Sequence, residues 1–236
     1  MNQKLSEQVA QLADSLTKAK FATILTGAGI SVSSGIPDME MMDDVFGLFA
    51  ESTLESRPEV FYQAFHRNFI DPIFAHGPNI THRTIAELER NLFIHGVVTT
   101  NVDYLHELAG SHNVAAIWSS LNVNHCLNCG RIYEISVLKN VVPHCPVCGG
   151  LISPDPVYRH IATLPDQVRQ ADEWMDSSDL TIVVGSNGYY SHTSTRQIIN
   201  INPKANAFDH EAKLVIRASA EDTFTELAHQ LELKVE

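Results

Sequence analysis

The chain has 236 residues, of which 44% are hydrophobic. That is enough for one large domain or a domain with a small satellite, and it excludes general disorder. A net charge of −12, a pI near 5.4 and no Lys/Arg cluster larger than two residues exclude nucleic-acid binding through phosphate neutralisation.

No run of about 18 apolar residues predicts a membrane helix. The opening MNQKLSEQVAQLADSL lacks a basic stretch followed by an apolar core, so a cytoplasmic protein is expected. Leu5, Val9, Leu12 and Leu16 recur at intervals of three and four, which predicts an amphipathic helix over residues 2–20. A strand of apolar residues follows at 21–26 and stops at Gly27-Ala28-Gly29. A strand running into such a turn suits dinucleotide binding, because glycines let the backbone approach a pyrophosphate. The pair of glycines alone is a weak signal, and the usual six-residue glycine fingerprint is absent.

Residues 39–50 predict a short helix over this loop, 58–69 a second helix, and the segment from Pro78 a third with Ile80, Thr84, Ile85 and Leu88 inward. A buried strand is expected at 93–98 and ends in Thr99-Thr100-Asn101-Val102-Asp103. Asn101 and Asp103 then lie where α/β sheets bind ligands, although a helix cap explains the same residues equally well. A short helix at 104–109 and a strand at 114–117 follow. Beyond the cysteine-rich stretch come a helix at 165–177, a buried strand at 180–184 ending in Gly185-Ser186-Asn187, strands at 198–201 and 213–216, and a closing helix at 221–231. Continuous apolar strands alternating with helices predict an α/β, Rossmann-like parallel sheet covered on both faces.

Four cysteines interrupt this pattern. Cys126 and Cys129 form one C-x-x-C, Cys145 and Cys148 a second, with fifteen residues between the pairs. That spacing is a zinc-ribbon spacing. Two disulfides are the alternative, disfavoured in a reducing cytosol. Four thiolates leave no open coordination position, so the zinc is expected to be structural. His125 and His144 flank the ligands and are expected to lie outside the first coordination sphere. The expected division is 1–121 with 154–236 as the nucleotide-binding domain and 122–153 as the inserted zinc-binding module.

The stretch GAGIS, the following SGIPD, Pro78-Asn79 with His82, TTNVDYLHELAGS, the paired C-x-x-C, Pro154-Asp155, VVGS at 183–186 and INP at 201–203 together resemble the sirtuin family. The resemblance implies NAD and zinc as cofactors and an NAD-dependent protein deacylase of the transferase type, with an acyl-lysine or basic protein as partner. It implies that Gly27, Ala28, Gly29 and Ser31 hold phosphates and ribose, and that Val102 and Asp103 receive the carboxamide. Asn101 lines the cleavage pocket. Gly185, Ser186, Asn200 and Asn202 hold the adenosine side, and Asp38 and Thr100 also belong to the cofactor site.

The departures bear on chemistry. Trp118-Ser119-Ser120 stands where the family writes His-Gly-Ser, and that histidine is the family's general base. An indole nitrogen only donates. Asp38-Met39-Glu40 replaces Asp-Phe-Arg, Thr100 a glutamine, Arg159-His160-Ile161 the Phe-Gly-Glu of the acyl cleft, and Ala218 a glycine. Losing a general base costs on the order of 10²–10⁴-fold. Three functions follow as expectations. One is a weakened deacylase with Asn101, Asp103 and Trp118 at the catalytic positions. The others are an ADP-ribosyltransferase or NAD hydrolase on the same fold, and a silent NAD- or ADP-ribose-binding module. Among the remaining histidines, His106 is expected to be structural and His160 to be the substitute base worth testing.

Overall fold

The computed structural model describes residues 3–38, 40–42, 45–160, 162–192 and 197–235. Its strands are β1 (Ala22–Thr26), β2 (Gly96–Thr99), β3 (Val114–Ala116), β4 (Asn124–Cys126), β5 (Ile132–Tyr133), β6 (Ile152–Pro154), β7 (Leu180–Val184), β8 (Ile198–Ile201) and β9 (Leu214–Ile216). Its α-helices are α1 (Gln3–Lys18), α2 (Glu51–Ser56), α3 (Pro58–Phe65), α4 (Asp71–His76), α5 (Ile80–Arg90), α6 (Leu105–Leu108), α7 (Asp155–Tyr158), α8 (Pro165–Ser177) and α9 (Ala220–Gln230). None of the described helices is long and apolar enough to cross a membrane.

The main sheet runs β3-β2-β1-β7-β8-β9 with every pairing parallel. Counted within this sheet, that is the doubly wound order, with a switch between β1 and β7. The strands read as unbroken apolar runs because both faces are covered. Ile24 and Ile182 turn to a core shared with Val9, Leu12, Ile85, Phe224 and Leu227 from α1, α5 and α9. Their neighbours Leu25 and Val183 turn to the opposite core with Ala171 and Met175 of α8. Alternate residues of one strand thus feed two cores.

A second lobe is built from β5-β4-β6, an antiparallel sheet, and the helical stretch α2 to α4. A π-helical turn over His66–Ile70 joins α3 to α4. Phe61, Tyr62 and Phe65 of α3 pack with Ile135 and Leu138 from the cysteine-rich segment, and the Tyr62 hydroxyl donates to the Ile152 carbonyl. The helices after the first loop therefore share a core with the cysteine-rich segment.

Two expected elements shift. The strand expected from Phe93 begins at Gly96. Leu92 adopts a left-handed conformation and Phe93 N–H closes onto Leu88 O at 2.9 Å, so Phe93 belongs to the end of α5. The helix expected over 39–50 is a 3-10 turn at Phe46–Phe49 followed by α2. Met39, Asp43 and Asp44 of that expectation, like Ile161 of the cleft loop, lie outside the described residues.

At the switch point two glycine turns touch backbone to backbone. Gly27 N donates to Val184 O at 3.1 Å and Gly29 N to Gly185 O at 3.0 Å. A Cβ on Gly27 would meet Ser186 Cα at 2.7 Å, and one on Gly29 would meet Gly185 Cα at 2.9 Å. Gly185 itself has φ +58°. Gly29→Ala should force these turns apart and lower stability by about 1–3 kcal/mol, as overpacking does. Urea unfolding checks this, and an unchanged midpoint would contradict it.

Candidate functional site

The switch point opens into a cavity of about 1050 Å³. Its floor carries the turns after β1, β2, β7 and β8, and its far wall Ile36, Glu40, Met42, Phe49 and Glu51, with Val157 and His160 at the end of α7. Gly27, Ala28, Gly29, Ser31 and Asp38 line it from the first turn, and Thr100, Asn101, Val102 and Asp103 from the second. Trp118, Gly185, Ser186 and Asn202 complete the set. Asn200 is the exception. Fully buried in β8, its amide donates to Asn206 Oδ1 at 2.7 Å and Asp209 Oδ1 at 2.8 Å, and it does not line the cavity. It braces the loop that carries Asn202 instead.

Asn101 and Asp103 are held from the first turn. Asn101 Nδ2 donates to Gly27 O at 3.1 Å and to Ser31 Oγ at 3.3 Å, and Ser31 Oγ donates to Asp103 Oδ2 at 2.7 Å. Asp103 Oδ1 also accepts from Leu105 N at 3.0 Å, an Asx-type turn one residue ahead of the α6 cap position, which is Tyr104. Burial raises the Asp103 carboxyl above its ordinary range, against the pull of these two hydrogen bonds. The next residue, Tyr104, has φ +66°, a left-handed conformation that a non-glycine residue adopts at a cost of order 1–3 kcal/mol.

Beneath this floor lies a buried polar layer. Thr26 Oγ1 donates to Thr99 Oγ1 at 2.8 Å and contacts His106 Nε2 at 2.9 Å, and the His106 ring meets that of His82 at 5.0 Å. The position of His106 agrees with a structural role. Burial drives His106 down to about 3 and His82 well below the usual imidazole range, the neighbouring His106 adding to the shift at His82. Both titrate lower in the folded than in the unfolded chain. Their contribution is therefore complete above about pH 6.5 and is lost as pH falls below it, by up to about 1.4 kcal/mol per pH unit for each. Melting temperature should fall from pH 6.5 to 5, less steeply in His106→Asn. Equal slopes in the two proteins would contradict this.

Trp118 follows β3 and is half-buried. Its indole packs on the core of Leu25, Val98, Ile117 and Val183 and meets Tyr189 edge-on at 5.9 Å. One side of the ring faces the cavity. Sequence reading did not single out Lys204, Glu51, Glu221 and Tyr189 as cavity residues, nor the apolar Met42, Phe49, Phe65 and Phe69 opposite the glycine turns. No local motif marks them, because they reach the site only through the fold. His160, which sequence reading did single out, lines the cavity, with Nδ1 3.4 Å from Glu51 Oε2.

One feature of the cavity fits a polar ligand such as a dinucleotide: the buried Ser186 hydroxyl on its wall has no partner among the described residues.

The four cysteine sulfurs lie within 4.8 Å of one another. Cys126 and Cys148 Sγ are 3.5 Å apart, Cys129 and Cys145 Sγ 3.8 Å, too far for a disulfide and right for edges of a ZnS₄ tetrahedron with bonds of about 2.3 Å. Gly130 at φ +69° and Gly149 at φ +72° turn the two knuckles. His125 turns away to Asp155 Oδ1 at 3.0 Å and stacks on Tyr158, and His144 Nδ1 lies 3.1 Å from Gly149 O. Cys145→Ser should cost most of the bound zinc and loosen residues 122–153 first, since such binding is folding free energy. Metal analysis and hydrogen exchange test this. A wild type carrying well under one zinc per chain would contradict it.

Comparison with known proteins places this geometry. The Sir2 family model matches residues 27–190. An NAD-dependent protein deacetylase of Staphylococcus epidermidis is 32% identical over 94% of this chain and 97% of its own length. One from Staphylococcus aureus is 36% identical over 82% and 87%. A solved structure described as Sir2 with p53 peptide and NAD+ superposes with a TM-score of 0.79 at 28% identity, covering 94% of this chain and 98% of that one. A Sir2 bound to acetylated peptide gives 0.80 at 29%, covering 96% and 99%. With the family model spanning well over half its length and relatives above 30% identity along nearly all of it, this chain belongs to the Sir2 family.

Proposed function

We propose that the protein is an NAD-dependent protein-lysine deacylase of the transferase type whose turnover is limited by Trp118. The observation that carries this reading is the convergence of the glycine turns, Ser31, Asn101, Asp103 and the unpartnered Ser186 hydroxyl in one cavity. The named relatives support it, being NAD-dependent protein deacetylases.

In this reading Gly27, Ala28, Gly29, Ser31 and Asp38 hold the phosphate and ribose side of NAD. Gly185, Ser186 and Asn202 hold the adenosine side, with Asn200 acting on it through Asn206. Thr100, Val102 and Asp103 receive the nicotinamide end. When bound there, NAD would supply an ADP-ribosyl group as the acceptor, with nicotinamide as the leaving group. The buried Asp103 carboxyl and the Asn101 amide orient polar atoms at the floor of the cavity, and the apolar wall of Phe49, Phe65, Phe69 and Val157 takes the acyl chain. Four zinc thiolates hold the second lobe that carries part of this wall.

A second reading rests on the indole itself. Trp118 lines the cavity at the position where the sirtuin pattern writes histidine, and it accepts no proton. The site then releases nicotinamide and passes ADP-ribose to water or another acceptor, or only binds the nucleotide. His160 is the alternative base: with Nδ1 facing Glu51, its Nε2 is left for the cavity.

Incubation with NAD and an acetyl-lysine peptide, measuring nicotinamide and free lysine separately, divides these readings. The wild type should yield both products, slowly. Trp118→His should raise deacylation by one to three orders of magnitude, toward a general-base contribution, and lower the melting temperature because core packing is lost. His160→Gln should abolish deacylation only where His160 is the base. Nicotinamide without free lysine would assign a transferase or hydrolase, and neither product a binding module. A destabilised Trp118→His with no gain in deacylation would show that the site is rebuilt for other chemistry.

A further inference from the structure

The electrostatics of the cavity are unsuited to an anionic ligand except at one place. Asp38, Glu40, Glu51, Asp103 and Glu221 line it, and Lys204 is the only lysine or arginine among the described residues that does. Two phosphates entering such a wall meet mostly like charge, which is costly in a poorly solvated cleft.

The backbone offers little relief. In dinucleotide folds the amides of the first turn cradle the pyrophosphate. Here four of the amides of that turn are already used. Gly27 N donates to Val184 O, Gly29 N to Gly185 O at 3.0 Å, Ile30 N to Gly27 O at 3.2 Å and Ser31 N to Ala28 O at 3.0 Å. The turn is a pair of three-residue 3-10 segments with no long helix behind it.

Lys204 reaches the cavity from the opposite side, past the end of β8. Its backbone N–H is fixed by Asn202 Oδ1 at 3.0 Å, and its ammonium donates to Glu40 Oε2 at 2.7 Å across the mouth. An ammonium has three hydrogens and Glu40 takes one, leaving two for another acceptor. Glu40, with Asp38 adding to it, strengthens the hold of Lys204 on its proton.

Resting on the NAD reading above, we propose that Lys204 is the phosphate-binding cation of this site, held over the cavity by Glu40. It supplies from the β8 loop the charge that Glu40 does not supply from the loop after the glycine turn. The ligand class is a nucleotide diphosphate, and the recognised part is its phosphate oxygens. Glu40 holds the ammonium across the mouth in the ligand-free protein and competes with the phosphates for it once they enter. Glu40 and Lys204 are both exposed, so neither substitution disturbs a core.

Calorimetry with ADP-ribose and, separately, adenosine tests this on wild type, Lys204→Met, Glu40→Gln and the double variant. Lys204→Met should weaken ADP-ribose binding roughly tenfold or more, as loss of a charge-assisted hydrogen bond does, and should leave adenosine within about twofold. Glu40→Gln should tighten ADP-ribose several-fold by removing a competing carboxylate, and that gain should vanish in the double variant. ADP-ribose affinity unchanged in Lys204→Met, with the wild type binding, would overturn this proposal and leave the NAD reading intact. Equal losses for adenosine and ADP-ribose would also overturn it, marking a structural role. A wild type that binds neither ADP-ribose nor NAD at millimolar concentration would overturn both.

Discussion

The constraint on which the structure depends is the close approach of two backbone turns, Gly27-Ala28-Gly29 after β1 and Gly185 after β7. Their hydrogen bonds, Gly27 to Val184 and Gly29 to Gly185, join the two halves of the parallel sheet at the point where its winding reverses. Side chains are excluded there because the nearest atoms are backbone, which cannot move aside. The same contact that closes the sheet opens the cavity, since it leaves the strand ends on either side diverging. Asn101 and Ser31 then tie the β2 turn to the first turn, so the floor of the site is a single hydrogen-bonded unit.

The upper wall has a different origin. The aromatic residues of α3 pack against Ile135 and Leu138 of the cysteine-rich segment, and Phe65 and Phe69 also face the cavity. Order in the zinc module therefore reaches the apolar end of the site through packing, while the glycine turns govern the polar end. Trp118 packs on the sheet core around Leu25 and Val183 and also lines the cavity, which makes it both a packing residue and a chemical one.

Much of this was legible in the sequence because it is local. Strands covered on both faces leave continuous apolar runs, so β1, β7 and β8 read correctly within a residue. The cysteine spacing is a metal geometry written in sequence. Phe93 misled because a hydrophobic residue closing a helix looks like the start of a strand. Asn200 reads in the sequence as a ligand group like its neighbours, yet strand alternation turns it away from the cavity toward Asn206 and Asp209. Lys204 was invisible to sequence reading, since its meaning comes from Glu40, 164 positions away in the chain. Glu40 read alone is an unfavourable carboxylate, and only the fold shows that it arrives with a cation.

The central claim is that NAD occupies the cavity between the glycine turns and Trp118. The chain has two tryptophans, and Trp174 lies away from the cavity beside His95, so Trp174→Phe leaves Trp118 as the single reporter. Its fluorescence during an NAD titration reads the site directly. The account predicts a saturable change in emission that adenosine and nicotinamide, added as separate molecules, do not reproduce at the same concentrations. Emission that stays flat up to millimolar NAD in the folded, zinc-loaded protein would contradict it.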